Sequence, residues 1–385
     1  MRSFEREQAL LRSFQLTWKV LFLGRYDFVF DQIPISIRNM SMAKRLNLFK
    51  SGFNLFYRRL TPWSMPLHMQ FELTNYCNLH CPICPTGNRQ QNRSHLAMDT
   101  DLFRRVMKEV GPYLLTASLW GWGEPLLHPD LATILNFTQD HNIFSMLSTN
   151  GQNLNCDNII QSLIKSPPTH LIVALDGLTD ETNSRFRIGA RLQPALSGVR
   201  RLAEIKKQTG ASLPVLHMRY IVMKHNQHEV SQLKDFAAMA GFDFLSIRTL
   251  APVASDGQGG IYENLLPDES EFRAFIYQEG GRVQRNDFIC YHPYWSPSLF
   301  SDGTLVACDQ DHNAEEPIGY VKENASFAGQ WFGRNARNIR KKLRDHAGTI
   351  SPCRNCPFRD RPTSHCTSQF LCINPDISTP FVIRA

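Results

Sequence analysis

The residues best able to do chemistry are cysteines. From Thr74 the chain reads Thr-Asn-Tyr-Cys-Asn-Leu-His-Cys-Pro-Ile-Cys, so Cys77, Cys81 and Cys84 follow a C-x3-C-x2-C spacing. Three thiolates on one short loop can hold three corners of a cubane iron–sulfur cluster. No fourth cysteine lies nearby, which leaves one iron with an open position. Catalytic metals keep such a position and structural ones close it. The competing reading is a zinc site completed by His80 or by a distant residue.

Six of the ten cysteines lie beyond residue 256: Cys290, Cys308, Cys353, Cys356, Cys366 and Cys372. One basic helix is expected over Gly333–His346, and few other long periodic segments accompany them. A small core with many cysteines is usually held together by metal. In a reducing compartment such cysteines serve metal binding or catalysis rather than a disulfide framework. A zinc-stabilised domain is the plain alternative. Cys156 stands alone and is expected to be a buried apolar residue.

The elements that position these residues can be read from periodicity. Short apolar runs at His68–Thr74, Leu114–Gly121, Phe144–Asn150, His170–Gly177, Val215–Met223 and Phe244–Leu250 alternate with helical patterns such as Asp99–Val110, Pro129–Gln139 and Ala195–Gln208. Strands alternating with helices imply βαβ units and a parallel sheet. Six strands suit an open partial barrel or a doubly wound sheet, and both bind ligands at the C-terminal ends of their strands. The polar motifs fall at those ends. Gly121-Trp122-Gly123-Glu124-Pro125 follows strand two, and its glycines allow close approach of backbone to a ligand. Ser148-Thr149-Asn150-Gly151 ends strand three, and Ala174-Leu175-Asp176-Gly177 ends strand four. His217, Arg219, Tyr220 and Arg248 lie on the late strands, but a period of two does not say which of them face inward. No general base is assigned.

The chain has 385 residues, 42% hydrophobic and 20% charged, with a net charge of +7. That composition suits a globular chain of about two domains. Three regions are expected: a basic helical N-terminal extension over 1–65, a barrel over 66–255 and a cysteine-rich region over 256–385, entered through a hinge at Ser255–Gly260. The first residues carry both signs of charge and no signal-peptide pattern, and no run of about 20 apolar residues is present. A cytoplasmic chain is expected. Within 1–65, Leu46, Phe49, Phe53, Phe56 and Leu60 form a helical stripe among basic residues. Two expectations attach to it: packing on the main domain, or peripheral contact with an anionic membrane at its inner face.

The C-x3-C-x2-C triplet after a first strand, followed in register by the Gly-Trp-Gly-Glu-Pro element, resembles the radical S-adenosylmethionine (radical SAM) superfamily. The resemblance implies an α/β fold, a partial (β/α)6 TIM-like barrel. It implies a [4Fe–4S] cluster on Cys77, Cys81 and Cys84, whose open iron is chelated by S-adenosylmethionine. Gly123, Glu124, Pro125, Ser148, Asn150, Asp176 and Arg187 are then the implied cofactor-binding residues, with Glu124 toward the methionyl ammonium and Arg187 toward the carboxylate. Asn226 resembles a residue near the adenosyl group. Ala174 departs from the pattern, because many relatives carry serine there.

Cys290, Cys308, Cys353 and Cys356 resemble the ligand set of the SPASM and twitch domains of this superfamily. That set implies one auxiliary [4Fe–4S] cluster, closed by four thiolates. A second auxiliary cluster would enlist Cys366 and Cys372 with a ligand such as His365 or Asp376.

A closed cluster beside the barrel suits electron transfer. The implied activity is cleavage of S-adenosylmethionine to a 5′-deoxyadenosyl radical and abstraction of a substrate hydrogen, for oxidation or related C–H modification of a biosynthetic substrate. The alternative within the superfamily is a SPASM-type maturase acting on a peptide or protein. No N-terminal winged-helix pattern for peptide binding is apparent, which favours a small molecule. An electron donor such as flavodoxin or ferredoxin is implied. A zinc-dependent nucleic-acid-binding protein is the non-enzyme alternative, but no helix carries finger-type spacing and no nucleic acid is expected.

Overall fold

The computed structural model describes residues 15–251, 261–278, 281–283, 288–354, 356–360, 367–377 and 379–384. The expected hinge at Ser255–Gly260, and His365 and Cys366, lie outside the described residues. Two strands come first, β1 (Tyr26–Phe30) and β2 (Ile33–Arg38). The barrel strands follow: β3 (His68–Phe71), β4 (Thr116–Ser118), β5 (Phe144–Thr149), β6 (His170–Ala174), β7 (Val215–Val222) and β8 (Phe244–Thr249). Each pairs in parallel with the next. Helices Thr100–Val110, Leu131–Gln139, Asp157–Lys165, Leu192–Thr209 and Leu233–Ala240 lie between them. All six expected strands are present, and the architecture is the partial barrel rather than the doubly wound sheet.

The cysteine-rich region does not stand apart from the barrel. After a small hairpin, β9 (Tyr277–Gln278) and β10 (Gly281–Arg282), come β11 (Ser298–Leu299), β12 (Thr304–Val306) and β13 (Pro317–Tyr320). β11 pairs in parallel with β3, and β12 and β13 continue the sheet outward. At the other edge β14 (Thr367–Cys372) runs antiparallel to β8. One ten-stranded sheet results. Residues before and after 256 therefore share backbone hydrogen bonds at both edges.

Alternation along the strands divides the core in two. Met69, Phe71, Leu171, Val173, Leu216 and Met218 pack outward on the helices. Phe144, Met146, Ile172, Val215 and Phe244 point inward. The N-terminal hairpin fills that inner face. Ile33, Ile35 and Ile37 are each 0% exposed and contact it together with Phe381 of β15 (Phe381–Arg384), which pairs in parallel with β2. Each fully buried isoleucine contributes roughly 1.5–3 kcal/mol. The extension thus holds a hairpin as well as the expected helix, Met42–Tyr57. The period-two run Ile33-Pro-Ile-Ser-Ile makes the strand, and Asp31 and Gln32, at φ 50° and 65°, make the turn.

Candidate active site

An open cavity of about 440 Å³ lies at the C-terminal ends of the barrel strands, where Cys77, Cys81, Cys84, Glu124, Asn150 and Arg187 all reach its wall. Gly121, Gly123, Ser148 and Ala174 line it as well. Backbone crowding sets the two glycines. A Cβ on Gly121 would stand 2.7 Å from Glu72 Cβ, and one on Gly123 would stand 2.2 Å from the Thr74 carbonyl oxygen. Pro125 opens the turn Pro125–Leu127 and is buried behind the wall.

Glu124 ties three strand ends together. Thr74 Oγ1 donates to its carbonyl at 2.8 Å. Its carboxylate accepts from Thr149 Oγ1 at 2.6 Å, from the Asn150 amide at 2.8 Å and from the Leu126 amide at 3.0 Å. Burial raises its pKa against these donors. With three donors already placed, the carboxylate has about one lone-pair site left for a ligand. Asn150 Nδ2 donates to Asn78 Oδ1 at 2.8 Å and reaches Cys77 Sγ at 3.6 Å, so this residue steadies the cysteine loop.

Asp176 is fully buried and pairs with Arg187 Nε at 2.7 Å. Its other oxygen accepts from the Ile221 amide at 2.8 Å. It stands behind Arg187 and aims it. Asn226 turns away from the adenosyl role implied by resemblance. It is 0% exposed, donates to the carbonyls of Asp176 and Ile221, and accepts from the Met223 amide. It joins the ends of β6 and β7.

Burial pushes the Cys77 thiol up to about 11 and the Cys81 thiol up to about 12, and raises Cys84 as well. Arg187 opposes this at Cys81 and Cys84. Desolvated thiols become good ligands once a metal takes their protons. Among the described residues no three His, Cys, Asp or Glu side chains are close enough to chelate a single ion. A cubane asks for a different arrangement, one thiolate at each of three corners. Three cysteines on one tight loop beside an arginine and an open cavity can meet that demand.

Cys290, Cys308, Cys353 and Cys356 line a second pocket, small and enclosed, of about 40 Å³. Its other lining is largely apolar, with Pro293, Ile339, Leu343 and Ile350 among it. Burial pushes the Cys290 thiol up to about 12 and raises Cys308 and Cys353. Gln310 and Phe358 belong to the walls of both this pocket and the barrel cavity. Cys372 pairs across from Phe244, at the start of β8 and so at the far end of the sheet from the triplet. It is exposed, and Asp376 lies at that same far end. Cys156 is also exposed, not buried as expected, because it caps the helix Asp157–Lys165 with its side chain outward.

Arg93 and Asp31 carried no sequence signal. Arg93 grips Glu72 with two bonds of 2.8 and 2.7 Å and donates to the His312 carbonyl at 2.7 Å. Trp122 Nε1 donates to the Asp309 carbonyl. Both join the loops around the triplet to the segment after Cys308. Arg219 and Arg248 line the cavity, and Asp31, at the tip of the N-terminal hairpin, pairs with both. Tyr220 faces the outer core and donates to Glu229 Oε2 at 2.7 Å. His217 is buried beside His170 in the barrel interior.

A half-barrel with an open three-cysteine loop at its strand ends is the arrangement of the radical SAM superfamily. Residues 71–237 match the sequence family described as Radical SAM superfamily. The radical SAM match lies within the barrel, and a [4Fe–4S] cluster and S-adenosylmethionine are the cofactors of that family. Mycofactocin maturase MftC of Mycobacterium ulcerans is 26% identical over 261 residues, covering 66% of this chain and 67% of its own. PqqA peptide cyclase of Granulibacter bethesdensis is 22% identical over 336 residues, covering 81% of this chain and 85% of its own. Among solved structures, Streptococcus suis SuiB bound to precursor peptide SuiA shares the fold. Its TM-score is 0.56 at 17% identity, over 84% of this chain and 76% of that one. The zinc-dependent nucleic-acid-binding alternative gives way to this assignment.

Proposed function

We propose that the chain is a peptide or protein maturase that oxidatively modifies a side chain. The observation that carries the oxidative part of this reading is the common wall, at Gln310 and Phe358, between the three-cysteine cavity and the four-cysteine pocket. In this reading Cys77, Cys81 and Cys84 hold the catalytic cubane, and Cys290, Cys308, Cys353 and Cys356 hold one auxiliary cubane. When bound, the catalytic cluster and S-adenosylmethionine supply a 5′-deoxyadenosyl radical that takes a hydrogen atom from the substrate. Gly121, Gly123 and the one open site of Glu124 receive the methionyl group. Arg187, aimed by Asp176, neutralises its carboxylate. An auxiliary cluster held by Cys290, Cys308, Cys353 and Cys356 would supply an acceptor for the electron that a substrate radical loses, with a proton, on becoming the oxidised product. A reductant such as flavodoxin or ferredoxin feeds the catalytic cluster.

The peptide substrate is supported by the relatives' names, above all the peptide cyclase that spans 81% of this chain. They reverse the preference for a small molecule drawn from the missing winged-helix pattern. Dehydrogenation of a small biosynthetic substrate uses the same two clusters and is the second reading. The test begins with anaerobic purification and metal counting. About eight irons per chain, falling to about four in a Cys77→Ala/Cys81→Ala/Cys84→Ala variant, are expected. Only the wild type should make 5′-deoxyadenosine with dithionite. Short peptides encoded beside the gene are then added. Faster 5′-deoxyadenosine release and a product lighter by two hydrogens support the maturase. Peptides that change nothing, while a small alcohol stimulates turnover, move the assignment to the second reading. Bound zinc without iron would end both.

A further inference from the structure

We propose that the outer surface of the N-terminal region docks on an anionic lipid bilayer. The helix Met42–Tyr57 is inverted relative to an ordinary surface helix. Its buried residues are Lys44, Asn47, Ser51 and Asn54. Lys44 Nζ donates to the carbonyls of His141 and Asn142, both at 2.9 Å. Asn47 accepts from the Met65 amide at 2.9 Å and donates to the Met65 carbonyl at 3.2 Å. Asn54 donates to Ser64 Oγ at 2.6 Å and accepts from the Trp63 amide at 2.9 Å. Lys44, Asn47 and Asn54 are therefore bonded into the protein, and the stripe of Leu46, Phe49, Phe53 and Phe56 faces out, with Phe56 80% exposed. This overturns the expectation that the apolar stripe packs on the main domain.

The surface extends beyond one helix. Trp18, Phe22 and Leu23 are exposed on the preceding segment. A trough of about 690 Å³ runs between that segment and the helix, with Leu16, Val20, Phe49 and Phe53 on its walls. Contiguous apolar surface of this kind marks an interaction site. Charge selects the occupant. Residues 15–67 hold eight Lys or Arg, of which Lys44 turns inward, against two acids, Asp27 and Asp31, and Asp31 turns into the barrel. Lys19 and Lys50 are exposed beside the aromatic stripe. Aromatic and basic side chains mixed on one face suit the headgroup region of an anionic bilayer, and a second copy of so basic a face is repelled. Among the described residues no helix is long and apolar enough to cross a membrane, so the contact is peripheral. The helix rests on residues just before β5 and β3. The bilayer then lies at the opposite end of the barrel from the cofactor cavity, which stays open.

The test is sedimentation of the full chain with vesicles of phosphatidylglycerol and phosphatidylcholine, against phosphatidylcholine alone. Binding at least about tenfold stronger to the anionic vesicles, weakened by salt, is expected. Phe53→Ser/Phe56→Ser should abolish it while iron per chain stays at the wild-type level. Lys19→Glu/Lys50→Glu should lower it by about fivefold or more per residue. A Phe56→Trp variant, which keeps the face apolar, should be quenched by brominated lipid. No sedimentation with anionic vesicles and no quenching would overturn the proposal. So would a dimer in light scattering that Phe53→Ser/Phe56→Ser converts to monomer, because the occupant would then be a second copy.

Discussion

The indole Nε1 of Trp122 donates to the carbonyl oxygen of Asp309 at 2.8 Å. Trp122 sits between Gly121 and Gly123, and Asp309 directly follows Cys308. One hydrogen bond thus joins the three-cysteine cavity to the four-cysteine pocket. Trp122→Phe keeps an aromatic side chain, though a smaller one, and removes the donor. It should cost about 1 kcal/mol of stability. Thermal unfolding and metal analysis on one sample check this, with a lower Tm and near-normal iron expected.

Gly123→Ala is a sharper probe. The new Cβ would meet the Thr74 carbonyl at 2.2 Å, and neither partner is a flexible side chain. The loop must shift, and Glu124 with it. A displacement of about 1 Å in a positioned group costs on the order of 100-fold in rate. The expected result is a loss of 5′-deoxyadenosine formation of that size with iron content retained. Wild-type rates would show that the loop yields without moving Glu124.

Asp31→Asn removes the charge that Arg219 and Arg248 share. Both arginine side chains are about one-eighth exposed, at 12% and 13%. Breaking a largely buried ion pair from one side costs on the order of 3 kcal/mol. Urea unfolding should show that loss, and Arg248→Gln in the same chain should restore part of it.

The barrel interior predicts acid sensitivity. Burial drives both His68 and His170 down to about 3, and holds His217 well below its ordinary value. In the unfolded chain these rings titrate near pH ~6.5. Between about pH 6.5 and pH 3 the unfolded state binds more protons, so stability falls as pH drops through that window. The Tm should decline between pH 7 and about pH 5, and His170→Phe should flatten part of the slope.

Local patterns were legible in the sequence. The Cys77, Cys81 and Cys84 spacing and the six strand ends needed only near neighbours, and the four later cysteines needed only a resemblance. Tertiary choices were not. In Met42–Tyr57 two stripes share one period, the aromatic one and that of Asn47, Ser51 and Asn54. Which stripe turns inward depends on partners at Ser64 and Met65. Arg219 and Tyr220 alternate, and only the assembled sheet decides that Arg219 meets the cavity. Cys156 looked apolar because its exposure at a helix cap leaves no mark in composition.

The Asp31 contacts also bear on the order of assembly. They span 188 residues to Arg219, 217 to Arg248 and 336 to Thr367. Neighbouring barrel strands close far shorter loops, and loop closure costs more entropy as the span grows. The outer barrel should therefore form first, with the hairpin docking into it as a late and slower event. Until that event the interior is a hollow open to water, and a chain halted there would show apolar surface to chaperones and proteases.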